Sequence, residues 1–167
     1  EKQANNYTKY NQIEPLITSL NTGGFFIAWS SYLQDGSEYG VFGKLFNEKF
    51  QPGVEFQINT QTANNQTLSS ICTLLNGNIV IVWTSFVTLS PTDVITQDEV
   101  YGQIITEKGL FYNENFGVNT IWYRNQSYPE VDRLHDGGFV VVWLSYYPTS
   151  YTYIVKGQIF DQNGLKK

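Results

Sequence analysis

The 167-residue sequence has no methionine, one cysteine (Cys72) and one histidine (His135). A single cysteine excludes an internal disulfide. One cysteine and one histidine also leave too few ligands for a zinc centre and give little basis for a cysteine–histidine catalytic pair. We therefore predict no metal site of this kind and no bound cofactor. Because the sequence begins with Glu1, we expect a processed chain or a fragment.

Charge is also scarce, since only 15% of the residues are Asp, Glu, Lys or Arg. The net charge is −5 at pH 7, and basic residues form no cluster that could neutralise phosphates. We therefore expect no nucleic-acid partner. No apolar run approaches the roughly 18 residues of a membrane-spanning helix, so we expect no membrane span.

Alanine, the best helix former, occurs only three times, whereas aromatic residues make up 16% of the chain. Aromatic and β-branched residues favour strands. This composition predicts an all-β protein.

An internal repeat organises the chain. Three segments align without a gap over eighteen positions, each beginning with Gln and ending with Trp; they are Gln12–Trp29, Gln66–Trp83 and Gln126–Trp143. A second shared block follows each Trp and contains Gly43, Gly102 or Gly157. The repeat unit is about 55 to 60 residues long.

Each unit is predicted to form four short antiparallel strands, with a tight turn after the first at Asn76-Gly77 or Asp136-Gly137. Such units are typical of β-propeller blades, and a β-sandwich of the same hairpins is the alternative. The limits of the aligned repeats predict the tail of a preceding repeat at residues 1–12 and blades at residues 12–66, 66–126 and 126–167. The last blade lacks its fourth strand.

The run Gly137–Trp143, followed by Gly157–Asp161, resembles a repeat of large secreted microbial proteins. In those proteins the repeat often lies beside calcium-binding repeat-in-toxin segments or cadherin-like domains. The resemblance implies an extracellular or cell-surface location and an adhesive or structural role. The second unit departs from the pattern, because Asn76-Gly77-Asn78 replaces Asp-Gly-Gly.

Three blades do not close a propeller, which normally has about 4–8. We therefore predict a non-catalytic structural or adhesive module whose sheet edges pair with copies of itself or with adjoining repeats, forming a ring or filament. The alternatives are a carbohydrate-binding, lectin-like propeller with glycan partners and a propeller glycosidase, which would need two facing carboxylates.

The acidic residues that we considered for such a pair lie in or near expected turns; they are Asp35, Glu38, Asp93, Asp98, Glu99, Asp132 and Asp136. Nothing in the sequence distinguishes a catalytic pair among them, so we name no catalytic residue. Calcium is a weak alternative at Gln34–Glu38 and Asp132–Asp136, because the ordered spacing of a calcium loop is missing.

The aromatic residues give the strongest candidates for ligand contacts. Trp29, Trp83 and Trp143 recur at one repeat position, and we predict that they pack between blades. Aromatic residues in the variable loops are less readily explained by core packing. The candidate ligand-binding residues are Trp122, Tyr123, Tyr146, Tyr147 and Tyr151, with Tyr153 crowding the same loop.

Three sequons would carry glycans in a eukaryotic host, at Asn6, Asn65 and Asn125. Asn65 and Asn125 share one repeat position in an expected surface connection. Chance alone supplies about as many sequons in a chain of this composition, so their number alone is uninformative.

Overall fold

The structure is a computed structural model that describes residues 1–88, 96–121 and 124–167. Within these residues all regular structure is β-strand, which confirms the all-β prediction. The strands are β1 (Gln12–Ser19), β2 (Phe25–Tyr32), β3 (Tyr39–Phe46), β4 (Pro52–Gln57), β5 (Gln66–Thr73), β6 (Ile79–Thr88), β7 (Thr96–Ile105), β8 (Phe116–Gly117), β9 (Gln126–Arg133), β10 (Phe139–Tyr147) and β11 (Thr152–Phe160).

The strands form three antiparallel sheets, each following chain order. The first contains β1 to β4, the second β5 to β8, and the third β9 to β11. Glycine allows the tight turn between the first two strands of a sheet, since Gly77 and Gly137 have φ values of 87° and 89°. Few other residues adopt such values without strain.

Neighbouring sheets pack face to face. The second strand of each sheet carries apolar residues on both sides. We call the face that packs on the next sheet the forward face; in the second sheet it carries Val80, Val82, Val100 and Ile104. We call the opposite face, which carries the repeated tryptophan, the Trp face. Its residues in the second sheet are Ile79, Ile81, Trp83 and Ile105.

Each of the two hydrophobic cores lies between neighbouring sheets. Phe26, Ala28 and Val41 of the first sheet pack with the Trp face of the second. The forward face of the second sheet packs with Phe139, Val141, Trp143 and Phe160 of the third. The described residues include no helix long and apolar enough to cross a membrane.

Candidate functional site

A large cavity lies where the first strands of the three sheets, β1, β5 and β9, converge. Its volume is about 700 Å³. Each of these strands contributes a short stretch to its wall: Glu14–Leu16, Thr67–Ser69 and Ser127–Glu130. Asp98 and Tyr153 add side chains from β7 and β11. A cavity of this size suits a small ligand or a few units of a polymer.

The backbone is irregular where β1 and β9 reach the cavity. The pairing of β1 with β2 shifts between Ile13 and Leu16, and a matching irregularity interrupts the pairing of β9 with β10. Glu14 and Tyr128, which occupy the same repeat position, have φ values of 54° and 53°. Each precedes a proline. A left-handed conformation at a residue other than glycine costs on the order of 1–3 kcal/mol and is found most often at functional sites.

A buried serine hydroxyl holds the carboxylate of Glu14 and also links the first two sheets. The Ser30 hydroxyl donates to Glu14 Oε2 at 3.0 Å and accepts a hydrogen bond from the Leu68 backbone N–H at 2.9 Å. Ser30 is fully buried. The serine therefore ties the first sheet to the second and orients an acid that lines the cavity.

Two further acids line the cavity from other sheets. Asp98 extends from β7, and its backbone N–H donates to Asn125 Oδ1 at 3.4 Å. Burial raises the pKa of the Asp98 carboxyl. Glu130 extends from β9 opposite Val142 and is exposed. The cavity thus collects three carboxylates, and one of them has an elevated proton affinity.

Glu99, the neighbour of Asp98, lies outside this cavity and is fully buried. Its carboxylate accepts hydrogen bonds from the Asn119 and Gln97 side-chain amides. Burial raises the pKa of Glu99 to about 7, and the nearby charge of Asp98 acts in the same direction. The two amide donors oppose the shift but do not cancel it.

Two tyrosines present exposed rings at the cavity. Tyr128 is 74% exposed and Tyr153 is 59% exposed. An exposed tyrosine offers an apolar ring face and a polar tip, the combination that suits a sugar ring. The sequence pattern does not single out Tyr128, since its exposure depends on the left-handed backbone at that position.

The predicted ligand-binding tyrosines lie along the β10–β11 hairpin but do not form one site. The Tyr146 ring contacts Tyr153, with centroids 5.0 Å apart. The Arg124 guanidinium lies 3.6 Å from the centroid of the Tyr147 ring. Tyr151 is 82% exposed at the hairpin tip. Trp122 and Tyr123 lie outside the described residues. No observation tests ligand binding by the other three, so all five candidates stay predictions.

The asparagines of the sequons have structural contacts. Asn65 and Asn125 accept backbone hydrogen bonds from Phe86 and Tyr146 through their main-chain carbonyls. The Asn65 side-chain oxygen also accepts from the Tyr39 N–H at 3.2 Å. Lys44 Nζ donates to Asn6 Oδ1 at 2.6 Å. These hydrogen bonds involve the oxygen atoms of the asparagines, whereas a glycan would be attached to the side-chain nitrogen. Glycosylation at the three asparagines stays a prediction.

The repeated tryptophans are buried. Trp29, Trp83 and Trp143 are 3%, 2% and 7% exposed. Trp83 and Trp143 belong to the two cores between the sheets, as predicted from their spacing. Cys72 lies in β5, where burial is the largest of the effects that raise its pKa, to about 12.

The acids considered in the sequence lie in several places. Asp35 accepts hydrogen bonds from the Gln57 side chain and the Ser37 backbone. Asp136 forms a salt bridge of 2.6 Å with Lys167. Asp93 lies outside the described residues. Within the described part of the chain, no group of three or more His, Cys, Asp or Glu residues could hold a metal ion, so calcium gains no support.

Comparison with known proteins gives a structural likeness but no match by sequence. No protein-family model and no curated protein matches the sequence. An endo-arabinase from Bacteroides thetaiotaomicron VPI-5482 has a similar fold, with a TM-score of 0.57 and 16% identity. The likeness covers 92% of this chain and 59% of that chain. It establishes a β-propeller-type fold and so favours the blade interpretation over the sandwich.

The same comparison contradicts the prediction that the chain is not an enzyme, because a protein with a similar fold is an endo-arabinase. That prediction relied on acids in turns, among which no catalytic pair was distinguishable. The sequence did not indicate that Glu14 and Glu130, which lie within strands, line one cavity with Asp98.

Proposed function

We propose that this chain is a carbohydrate-binding propeller module whose glycan lies in the central cavity. The observation that carries the proposal is the lining of that cavity. It combines the exposed rings of Tyr128 and Tyr153 with the carboxylates of Glu14, Asp98 and Glu130. Aromatic rings stack on the apolar faces of sugars, and carboxylates accept hydrogen bonds from sugar hydroxyls.

The fold likeness to an endo-arabinase supports an arabinan as the first glycan to test. Purified chain would be titrated with debranched arabinan, and with other plant and microbial polysaccharides, by isothermal calorimetry. We expect saturable binding to at least one of them.

Replacing Tyr128 by alanine should weaken this binding about tenfold, equivalent to about 1.4 kcal/mol, because a stacking ring is lost. Tyr151→Ala is a matched control. Both residues are exposed tyrosines with nearly equal positive φ values, 53° and 54°, so both variants carry a similar backbone strain. Tyr151 is a candidate from the sequence, but it does not line the cavity. A glycan in the cavity therefore predicts normal binding by the Tyr151→Ala variant. Equal losses in the two variants, or no binding by the unmodified chain, would contradict the proposal.

Hydrolysis of the bound glycan is a second candidate, favoured by the raised pKa of Asp98. A glycosidase uses one protonated carboxyl as an acid and a second, ionised carboxylate as a base or nucleophile. Glu14 and Glu130 are available for the second role in the same cavity. Release of reducing sugar would support this candidate if Asp98→Asn abolishes turnover while binding persists.

We also propose an adhesive, extracellular role, because attachment to a surface glycan is itself adhesion. The test is retention of labelled chain on glycan-coated beads and its release by soluble glycan. Retention that soluble glycan does not reverse would argue for another mode of attachment.

A further inference from the structure

The two interfaces between sheets have the same construction. In each, the forward face of one sheet packs on the Trp face of the next. At the repeat position of Val41 and Val100, both side chains are fully buried by the sheet that follows. The burial of a side chain can therefore be compared between the residues that occupy the same repeat position in the three sheets.

The forward face of the third sheet has the same chemistry but is exposed. Val155 occupies the position of Val41 and Val100, yet it is 71% exposed. Ile159 is 44% exposed, whereas its counterpart Ile104 is fully buried. Strand pairing places Val140 opposite Ile159 and Leu144 opposite Val155, so these apolar side chains share one face. A contiguous apolar face of this kind marks a contact surface.

The complementary surface lies at the other end of the chain, on the Trp face of the first sheet. Ile17 is 66% exposed, whereas Val131, at the same repeat position in the third sheet, is 7% exposed. Trp29 Nε1 is buried and has no hydrogen-bond partner in the part of the chain that the structure describes. In the third sheet the equivalent indole donates to Gln126 at 2.7 Å.

The segment before β1 lies against part of this face, since Lys44 Nζ donates to the Ala4 carbonyl at 2.9 Å. Asn5 donates to Gln12 Oε1 at 2.9 Å, as Asn59 donates to Gln66 Oε1 at 3.1 Å. The segment around Asn59 occupies its place while the first two sheets are packed together. The segment around Asn5, which makes the same bond, is therefore compatible with a sheet packed on the first.

We propose that the forward face of the third sheet binds the Trp face of the first sheet in a second copy of this chain. The contact continues the two interfaces already present within the chain, with the same types of side chain on each side. Because every copy carries one surface of each kind, the association is head-to-tail. Packing of Ile17 against Val155 and Ile159 would remove apolar surface from water on both copies.

Sedimentation velocity over a wide range of protein concentration tests this contact. The unmodified chain should associate, and Val155→Asp and Ile17→Asp should each weaken association about tenfold or more, because each buries an unpaired carboxylate. Val54→Asp is the matched control, since Val54 is 82% exposed on β4 and belongs to neither surface. Urea unfolding of each variant verifies that it folds.

Cross-linking identifies the partner surfaces. In a Cys72→Thr background, an Ile17→Cys chain mixed with a Val155→Cys chain should form a disulfide, whereas either chain alone should form much less. A chain that stays monomeric at every concentration would overturn the proposal. So would association that Val155→Asp and Ile17→Asp leave unchanged, or that Val54→Asp weakens equally.

Discussion

Glu99 makes the stability of this protein depend on pH in a defined direction. Its side chain is fully buried, and its pKa is raised from 4.5 to about 7, chiefly because burial disfavours the charged form. A raised pKa in the folded state means that the folded protein binds a proton more tightly than the unfolded chain. The contribution of Glu99 to the free energy of unfolding is therefore greatest below about pH 4.5. It falls as the pH rises towards about 7 and is constant above that value.

The substitution Glu99→Gln removes this dependence. The shift from 4.5 to about 7 corresponds to about 3 kcal/mol at about 1.36 kcal/mol per pH unit, and we expect an effect of about 1–3 kcal/mol. At pH 4 the variant and the unmodified chain should be about equally stable, because protonated Glu and Gln are both neutral. At pH 8 the variant should be more stable by that amount.

Urea unfolding at several pH values between 4 and 8 measures the difference. Comparing the two chains cancels the titration of the other acids. Glu48→Gln is the control, since Glu48 is exposed and its replacement should leave the pH profile unchanged. Parallel profiles for the unmodified chain and Glu99→Gln would refute the reasoning from burial. The pKa of Tyr101, which Glu99 helps to raise, should also fall in the variant.

Three further predictions concern packing and reactivity. Gly102→Ala should destabilise the fold by about 1–3 kcal/mol in urea unfolding, because a new Cβ would lie 2.7 Å from Phe116 Cζ. Gly157→Ala, at the same repeat position but with its nearest contact at 3.4 Å, should be tolerated, and equal losses would refute the argument. Ser30→Ala should cost about 1–3 kcal/mol, because the buried Leu68 N–H loses its acceptor; an unchanged urea midpoint would show that another acceptor replaces it. Cys72, with a pKa of about 12, should resist a thiol reagent at pH 8 in the folded protein and react in urea; rapid reaction of the folded chain would contradict its burial.

The sequence alone determined the local structure. Its aligned repeats predicted the hairpins, and the apolar second strands indicated burial on both faces, because strand periodicity and turn chemistry depend on near neighbours. The spacing of Trp29, Trp83 and Trp143 predicted their burial for the same reason. The sequence also predicted incomplete sheet edges, whereas the exposed apolar surface at Val155 lies on a sheet face.

Only the tertiary structure brought the cavity together. Glu14, Asp98 and Glu130 belong to three different sheets, and each lies within a strand where the local pattern gives no sign of a neighbour from another sheet. Their convergence depends on how the sheets pack around the inner strands. The raised pKa of Glu99 likewise depends on burial, and the exposure of Tyr128 depends on a left-handed backbone before a proline. Sequence periodicity specifies which way a side chain points from its own sheet. The packing between sheets decides what it meets there.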